Sequence, residues 1–177
     1  MIRRIHLILS LFMTIAIVSC HNNKNAAEES PLNQEQVTEK LLEANKAAIA
    51  IENEQIDKLI KSLGWEMLET PTGLRYQIIE KGKGSKATFG KVVRFEYEVK
   101  LLSGELIYSS EKTGPKEFRI GSGGVESGLE EGILQLRVGD KARLIIPSYL
   151  AHGLSGDQDR IPPKASLIYT LTLIDLK

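Results

Sequence analysis

The feature that most constrains this fold is a series of short strand-like segments after Gly64, among which almost no helical sequence occurs. The segments are rich in Val, Ile, Phe and Tyr and are separated by Gly or Pro turns; they cover residues 74–79, 91–102, 105–108, 116–120, 141–146 and 166–176. Only residues 125–136 are typical of a helix, and that helix is short. Because helices do not alternate with the strands, we expect an α+β fold, an antiparallel twisted β-sheet wrapped on one short helix.

A long α-helix is predicted in front of this sheet. Residues 33–63 contain no Gly or Pro, with a start signal at Ser30-Pro31 or at Asn33 and a stop at Gly64. Apolar residues recur every seven positions at Leu42, Ile49, Ile56 and Leu63, but polar residues interrupt the stripe. Two interpretations stay open. Either the helix packs on its own domain or acts as a spacer, or residues 35–63 form a homodimer.

The N-terminus resembles a bacterial export signal. Arg3 and Arg4 precede an apolar stretch at residues 5–18, which is too short to span a bilayer comfortably. The stretch ends at Cys20, the only cysteine in the chain, in a context that resembles a lipobox. We therefore expect a lipoprotein signal peptide at 1–19, lipidation of Cys20 and a flexible tether at 20–32. The alternative is an ordinary signal peptide or membrane anchor in which the cysteine is incidental.

Composition narrows the classes of function. Lys and Arg number 23 and so do Asp and Glu, so the chain lacks the basic excess typical of nucleic-acid-binding proteins. One cysteine and three widely separated histidines do not form a zinc-ligand pattern. We therefore expect no nucleic-acid partner, no metal site and no cofactor.

An ordered set of motifs resembles the FKBP-type peptidyl-prolyl cis-trans isomerases over about residues 72–177. The motifs are Val93-Arg94-Phe95-Glu96-Tyr97, Tyr108-Ser109-Ser110, Gly128-Leu129-Glu130-Glu131-Gly132, Val138-Gly139-Asp140, Ile145-Ile146-Pro147, Ala151-His152-Gly153 and Ile161-Pro162-Pro163. With the preceding helix and the Thr70-Pro71-Thr72-Gly73-Leu74 joint, the chain is similar to secreted bacterial FKBP lipoproteins, including the gliding-motility-associated group. The resemblance implies that this chain is anchored by a lipid in a bacterial envelope membrane and faces the periplasm or the cell surface.

The resemblance implies isomerisation of X-Pro bonds in exported, proline-containing polypeptides. Rotation about such a bond must overcome a barrier of about 18–20 kcal/mol, because amide resonance is lost. The family uses a dry apolar hollow that favours the twisted amide, so that neither a nucleophile nor a metal is required. We also expect apolar residues to be preferred before the proline, because the expected rim of the pocket is largely aliphatic.

The resemblance assigns roles to residues of this sequence one by one. The expected pocket walls are Tyr97, Val125, Ile161 and Tyr169. The expected floor is Leu129, the backbone donor to the substrate carbonyl is the N–H of Glu126, and a side-chain donor is His152. Ile107 and Tyr108 are expected to bind the substrate.

Some of these positions depart from the family pattern. Tyr108 stands where the family usually has aspartate, His152 replaces a tyrosine, and Lys116 replaces a common aromatic residue. The departures keep a second hypothesis open, in which the domain is a non-catalytic binding module or a holdase chaperone.

Two further motifs are weaker. Residues 82–87 superficially match a dinucleotide fingerprint, but a strand rather than a helix follows, which predicts a loop. His152, Ser155 and Asp157 are close in sequence, yet no nucleophile elbow surrounds the serine. Neither motif therefore favours a nucleotide-binding protein or a hydrolase.

Overall fold

The computed structural model describes residues 33–177. The predictions for the signal peptide, the tether and Cys20 fall on residues outside this range. The boundary between two compact units lies after Leu42, inside the first helix, so that residues 43–177 form the unit that contains the sheet. Among residues 33–177, no helix combines the length and the apolar character needed to cross a membrane.

The described elements follow one another in a mainly β-strand sequence. They are α1 (Gln34–Leu63), β1 (Leu68–Glu69), β2 (Arg75–Glu80), β3 (Val92–Leu101), β4 (Leu106–Ser109), α2 (Ser110–Thr113), β5 (Lys116–Arg119), α3 (Ser127–Ile133), β6 (Lys141–Ile146), a 3₁₀ turn (Ser148–Leu150) and β7 (Leu167–Leu176). The antiparallel sheet with one long preceding helix and short helices confirms the predicted α+β fold class.

Local capping explains where α1 begins and ends. The Asn33 side chain accepts a hydrogen bond from the Gln36 N–H at 2.8 Å, and the Gln36 side chain accepts one from the Asn33 N–H at 3.1 Å. This reciprocal pair satisfies two donors at the start of the helix. At the other end Gly64 adopts a left-handed φ of 64°, which a glycine adopts without steric cost. The helix thus runs from Gln34 to Leu63, directly after Asn33 and directly before Gly64.

Seven strands form a single antiparallel sheet in the order β1-β2-β6-β7-β3-β4. Strand β5 pairs with the first half of β3, from Val92 to Phe95, while β4 pairs with its second half. The long strands β3 and β7 pair along nearly their whole length, from Val93 with Leu176 to Leu101 with Leu167. They form the centre of the sheet and support the pocket described below.

One face of the sheet packs on α3. The buried residues of β3 alternate along the strand at Val93, Phe95, Tyr97 and Val99, as expected for a sheet with one core face. Two glycines of α3 allow a close approach to β6. A Cβ added to Gly128 would lie 2.4 Å from Ile146, and one added to Gly132 would lie 2.5 Å from Leu144. The spacing of the glycines therefore places α3 directly on the sheet.

The second half of α1 covers the opposite face. Ile56 is fully buried in a small cluster with Ile145 and Ile168. These two strand residues alternate with neighbours that face the main core, so α1 and α3 lie on opposite faces of the sheet. Polar contacts add to the packing, because Glu52 accepts hydrogen bonds from the N–H of Ser148 at 2.6 Å and from the Ser166 hydroxyl. The described structure thus supports packing of α1 on its own domain.

The structure differs from the predicted elements mainly in the short ones. Helix α3 is shorter than the predicted 125–136, because Glu126 is extended (φ −60°, ψ 136°). Its last turn tightens into i→i+3 hydrogen bonds, from the Gln135 N–H to Gly132 and from the Leu136 N–H to Ile133. The two-residue strand β1, helix α2 and the 3₁₀ turn were missed, since segments of two to four residues show no period.

Candidate active site

A cavity of about 390 Å³ opens where the β3–β7 centre of the sheet meets the start of α3 and the loop 151–161. Its lining residues come from six separate segments of the chain. They are Tyr97, Val99, Tyr108, Lys116, Gly124, Val125, Glu126, Ala151, His152, Asp157, Ile161 and Tyr169. Side chains distant in sequence thus meet around one pocket, which is the usual form of a small-ligand or peptide site.

The pocket contains seven of the nine site residues expected from the sequence. The wall residues Tyr97, Val125, Ile161 and Tyr169 line it together with Glu126, His152 and Tyr108. Lys116, Val99, Ala151 and Asp157 also line it, although no site role was predicted for them. The sequence draws attention to Asp157 only through the weak hydrolase motif, which gives no signal of a role in this pocket.

Leu129 and Ile107 do not line this cavity, which corrects their expected places. Leu129 is fully buried and Ile107 is 2% exposed, and both belong to the main hydrophobic core. The reason for Leu129 is that the buried face of α3, which includes Gly128 and Gly132, lies against the sheet. Any influence of these two residues on the substrate would therefore act through packing.

The carboxylate of Glu126 is the polar centre of the pocket. Its Oε1 accepts a hydrogen bond from the Tyr169 hydroxyl at 2.6 Å and lies 3.0 Å from His152 Nε2. The Glu126 side chain is only 9% exposed. Burial, followed by the adjacent Glu126 carboxylate, raises the pKa of Tyr169 well above its usual value. Tyr169 therefore remains a neutral hydrogen-bond donor.

A second polar pair lies at Tyr108 and Asp157. The Tyr108 hydroxyl donates to Asp157 Oδ2 at 2.5 Å, and this hydrogen bond is the main reason that the pKa of Tyr108 rises to about 12. Burial alone would raise the pKa of Asp157. The bond from Tyr108 and the backbone N–H groups of Asp159 and Ile161 outweigh it and lower that pKa to about 2. Asp157 is thus a carboxylate at neutral pH.

Tyr97 is held by contacts on both its ring and its hydroxyl. The hydroxyl lies 3.1 Å from the Thr113 hydroxyl, and Lys116 Nζ lies 5.3 Å from the ring centroid. The Tyr97 and Tyr169 rings are 6.4 Å apart between centroids and tilted by 35°. An ammonium group near an aromatic face is attracted by the ring quadrupole. Lys116 stands where the family commonly has an aromatic residue, and it still lines the pocket because its ammonium group lies over the Tyr97 ring.

The backbone N–H of Glu126 also affects what the pocket can bind. Its N–H donates to no residue within 33–177, whereas its C=O accepts from Leu129 and Glu130 at the start of α3. A free N–H beside a pocket can donate to a carbonyl of a bound peptide. The arrangement can therefore bind an extended peptide by a backbone hydrogen bond and an aromatic-walled hollow. The hollow carries more charge than the apolar basin expected from the sequence.

The competing motifs find no support among residues 33–177. The Ser155 hydroxyl donates to the neighbouring Gly156 carbonyl at 3.4 Å, whereas His152 is paired with Glu126. Residues 82–87 form a loop with an isolated bridge between Lys86 and Arg137, and no helix starts there. Among residues 33–177, no three His, Cys, Asp or Glu side chains come together as a metal site would require.

A second, larger groove of about 750 Å³ lies between α1 and the loops that follow β3 and β6. Its apolar lining includes Ile49, Ile51, Leu102 and Leu154. Leu154 is 76% exposed, which is unusual for a leucine. The groove and the smaller pocket are separated by the segment 149–154, which contributes residues to both.

Comparison with known proteins agrees with this architecture. The family model described as FKBP-type peptidyl-prolyl cis-trans isomerase matches residues 83–174. FK506-binding protein 4 of Dictyostelium discoideum is 41% identical over 104 residues, which are 59% of this chain and 28% of that protein. FK506-binding protein 1 of the same organism is 34% identical over 106 residues, covering 59% of this chain and 99% of the relative.

The crystal structure of FkpA from Escherichia coli superposes with a TM-score of 0.64 at 27% identity, covering 99% of this chain and 81% of the other. Several curated relatives are longer proteins, of which this chain spans between 28% and 50%. The family match covers more than half of the chain and includes the strands and loops that form the pocket. This chain therefore belongs to the FKBP-type peptidyl-prolyl cis-trans isomerase family.

Proposed function

We propose that the chain catalyses rotation about X-Pro bonds in exported polypeptides. The single observation that carries the proposal is the pocket itself, in which Tyr97, Val125, Ile161 and Tyr169 surround a free backbone donor at Glu126. Family membership supports the same activity. No covalent step is needed, since the reaction breaks only the resonance of one amide.

The proposed mechanism combines desolvation with one directed hydrogen bond. The planar amide is more charge-separated than the twisted one, so its transfer from water to an aromatic hollow favours the twisted form. The Glu126 N–H then donates to the carbonyl before the proline. Uncatalysed isomerisation takes roughly 10–100 s. Shortening it to milliseconds requires about 10⁴–10⁵-fold acceleration, or about 5–7 kcal/mol.

The test is proline-limited refolding of a model substrate with the purified full-length chain in mild detergent. We expect the slow refolding phase to accelerate in proportion to enzyme concentration. A peptide with a single X-Pro bond should show the same acceleration, which excludes a general effect on folding. If the refolding and isomerisation rates at micromolar protein equal those in buffer, the proposed isomerase activity is rejected.

A holdase is a second candidate function, and the large apolar groove favours it. Ile51 and Leu154 are exposed there by 58% and 76%. Exposed apolar patches are typical of surfaces that bind unfolded chains. In an aggregation assay, Leu154→Asp should weaken protection by a holdase while leaving peptide isomerisation unchanged. Equal protection by this variant and the wild-type chain would argue against a role for the groove.

We also propose that Cys20 carries a lipid that attaches the protein to a bacterial envelope membrane, facing the periplasm or the cell surface. The apolar stretch before Cys20 and the polar tether after it support this proposal, as does the resemblance to gliding-motility-associated lipoproteins. The test is metabolic acyl labelling of the wild-type chain and of Cys20→Ala. Acyl label that persists in Cys20→Ala would show that Cys20 is not the lipidated residue.

Homodimerisation through residues 35–63 is proposed for the part of α1 that its own domain does not cover. Leu41 and Leu42 are 60% and 53% exposed, whereas Ile56 is already buried within the domain. Sedimentation of the full-length chain in detergent should show a dimer that Leu42→Lys disrupts. A monomer at all concentrations would favour a spacer role for this half of the helix.

A further inference from the structure

One oxygen of the buried Glu126 carboxylate has no hydrogen-bond partner among residues 33–177. Tyr169 and His152 both contact Oε1, and nothing in this range donates to Oε2. Oε2 is not completely buried, because Arg75 Nε is the only completely buried side-chain nitrogen or oxygen in this range that lacks a hydrogen-bond partner. The side chain is 91% buried and lines the cavity. Oε2 therefore keeps some exposed surface as an open acceptor, on a side chain that lines the pocket.

The other charged groups of the pocket are already engaged. Asp157 accepts from Tyr108 on one oxygen and from the N–H groups of Asp159 and Ile161 on the other. Lys116 is the only lysine or arginine in the lining, and its ammonium lies over the Tyr97 ring. With two carboxylates and one ammonium, the pocket lining has an excess of negative charge.

We propose that this pocket selects polypeptides in which a lysine or arginine is adjacent to the proline, with the cationic side chain donating to Glu126 Oε2. The inference rests on the proposed isomerase function and names its substrate class. It replaces the apolar preference expected from the sequence, because that preference assumed an aliphatic rim.

The physical reason is the cost of an unpaired acceptor. When a peptide fills the pocket and expels water, Oε2 loses its solvent unless the peptide supplies a donor. A charged donor forms a shorter and stronger hydrogen bond than a neutral one. Adjacent Cα atoms are only about 3.8 Å apart, so a long side chain next to the proline can return to the same pocket. A glutamate at that position would instead meet like charge.

The experiment compares peptides that differ only in the residue beside the proline, namely lysine, arginine, norleucine and glutamate. One series varies the position before the proline and the other the position after it. Norleucine matches the length of lysine without its charge. For each peptide, kcat/KM of isomerisation and Kd by fluorescence anisotropy are measured with the full-length chain. Glu126→Gln removes the charge at nearly constant shape, and Glu105→Gln, outside the pocket lining, makes the same change of net charge.

We expect the wild-type chain and Glu105→Gln to prefer lysine over norleucine by about tenfold or more in at least one series. In Glu126→Gln the ratio should fall to about twofold or less. The proposal is overturned if the lysine-to-norleucine ratio is the same in the wild-type chain, Glu105→Gln and Glu126→Gln. It is also overturned if Glu126→Gln lowers kcat/KM by the same factor for every peptide. If no peptide is turned over, the proposed isomerase fails, and the Kd ratios still decide whether the pocket selects cations.

Discussion

The Tyr108 hydroxyl donates to Asp157 Oδ2 at 2.5 Å and lies 3.2 Å from Asp159 Oδ2. From the sequence, Tyr108 was a departure from a position that is usually aspartate in the family. In the structure a carboxylate is nevertheless present beside it, supplied by the loop that precedes Ile161. The tyrosine and the aspartate together occupy one side of the pocket.

This pair predicts an abnormal tyrosine titration. Because its hydrogen bond to Asp157 raises the pKa of Tyr108 to about 12, Tyr108 should ionise about two pH units above an ordinary tyrosine. In Asp157→Asn the negative acceptor is lost, and this titration should move back towards 10. The measurement is the ultraviolet absorbance of tyrosinate as pH rises. Tyr108→Phe identifies the contribution, and a wild-type titration of Tyr108 near pH 10 would contradict the prediction.

The same shifts fix the pH window of the pair. The pKa of Asp157 is lowered to about 2, so its stabilisation is present above about pH 4 and is lost as pH falls through about 2. The pKa of Tyr108 is raised, so its stabilisation is present below about pH 10 and is lost as pH rises through about 12. Between these limits the pair should not contribute to the pH dependence of activity, and Tyr108→Phe should leave the shape of that profile unchanged.

The fold was largely predictable because long elements carry a strong period. The alternation in β3 and the absence of Gly and Pro in α1 each extend over ten residues or more. Packing of α1 was left open, since Ile56 has the same sequence signature as Ile49. Ile56 differs from Ile49 because it packs on Ile145 and Ile168, which lie on the face of the sheet opposite α3.

The site was predictable in its membership more than in its chemistry. Family spacing located Tyr97, Val125 and Ile161, but the side chain of Glu126 was treated as irrelevant beside its N–H. Its pairing with His152 and Tyr169 joins positions 26 and 43 residues away. Such contacts leave no local pattern. For that reason sequence alone predicted an apolar hollow, whereas the structure shows an acidic one.

Docking of α1 can be tested at Ile56. This side chain is fully buried against Ile145 and Ile168, so Ile56→Ala should lower the free energy of unfolding by about 2–5 kcal/mol. Ile49→Ala is the matched control on the same helix, because Ile49 is 39% exposed and its loss should cost less than about 1 kcal/mol. Urea denaturation gives both values. Equal effects of the two substitutions would show that α1 does not pack as described.

Leu129 should behave as a core residue. Leu129→Ala should cost about 2–5 kcal/mol of stability, since the side chain is fully buried. Leu129→Trp must fit a larger side chain into a filled core and should cost about 1–3 kcal/mol. Both values come from urea denaturation. If the tryptophan variant were fully stable and more active, the position would be open to the pocket after all.

The two donors to Glu126 should be partly redundant. His152→Phe and Tyr169→Phe each remove one hydrogen bond to Oε1 while keeping an aromatic ring. Each should lower kcat/KM by roughly tenfold to a hundredfold, since a hydrogen bond to a charged group is worth about 1.5–3 kcal/mol. The double variant leaves a buried carboxylate without either donor. Its loss should exceed the product of the single effects, and a double-mutant cycle measures the excess. Simple multiplication would show that the two donors act independently.

The backbone donor at Glu126 can be isolated by comparing two substitutions at the same residue. Glu126→Ala removes the carboxylate and keeps the N–H, whereas Glu126→Pro removes both. Proline fits this position, because the native φ of −60° lies in its fixed range and the N–H is not part of a helix or strand. The two variants therefore differ chiefly in the hydrogen bond offered to the substrate carbonyl.

If that bond strengthens as the amide twists, its removal should lower kcat rather than raise KM. We expect Glu126→Pro to lose roughly tenfold to a hundredfold in kcat relative to Glu126→Ala, by analogy with the loss of a single oxyanion donor, which costs about 10²–10³-fold. Circular dichroism and urea denaturation check that both variants fold equally well. Equal kcat values in two equally folded variants would mean that the N–H of Glu126 plays no part in the reaction, and that desolvation by the aromatic walls carries it alone.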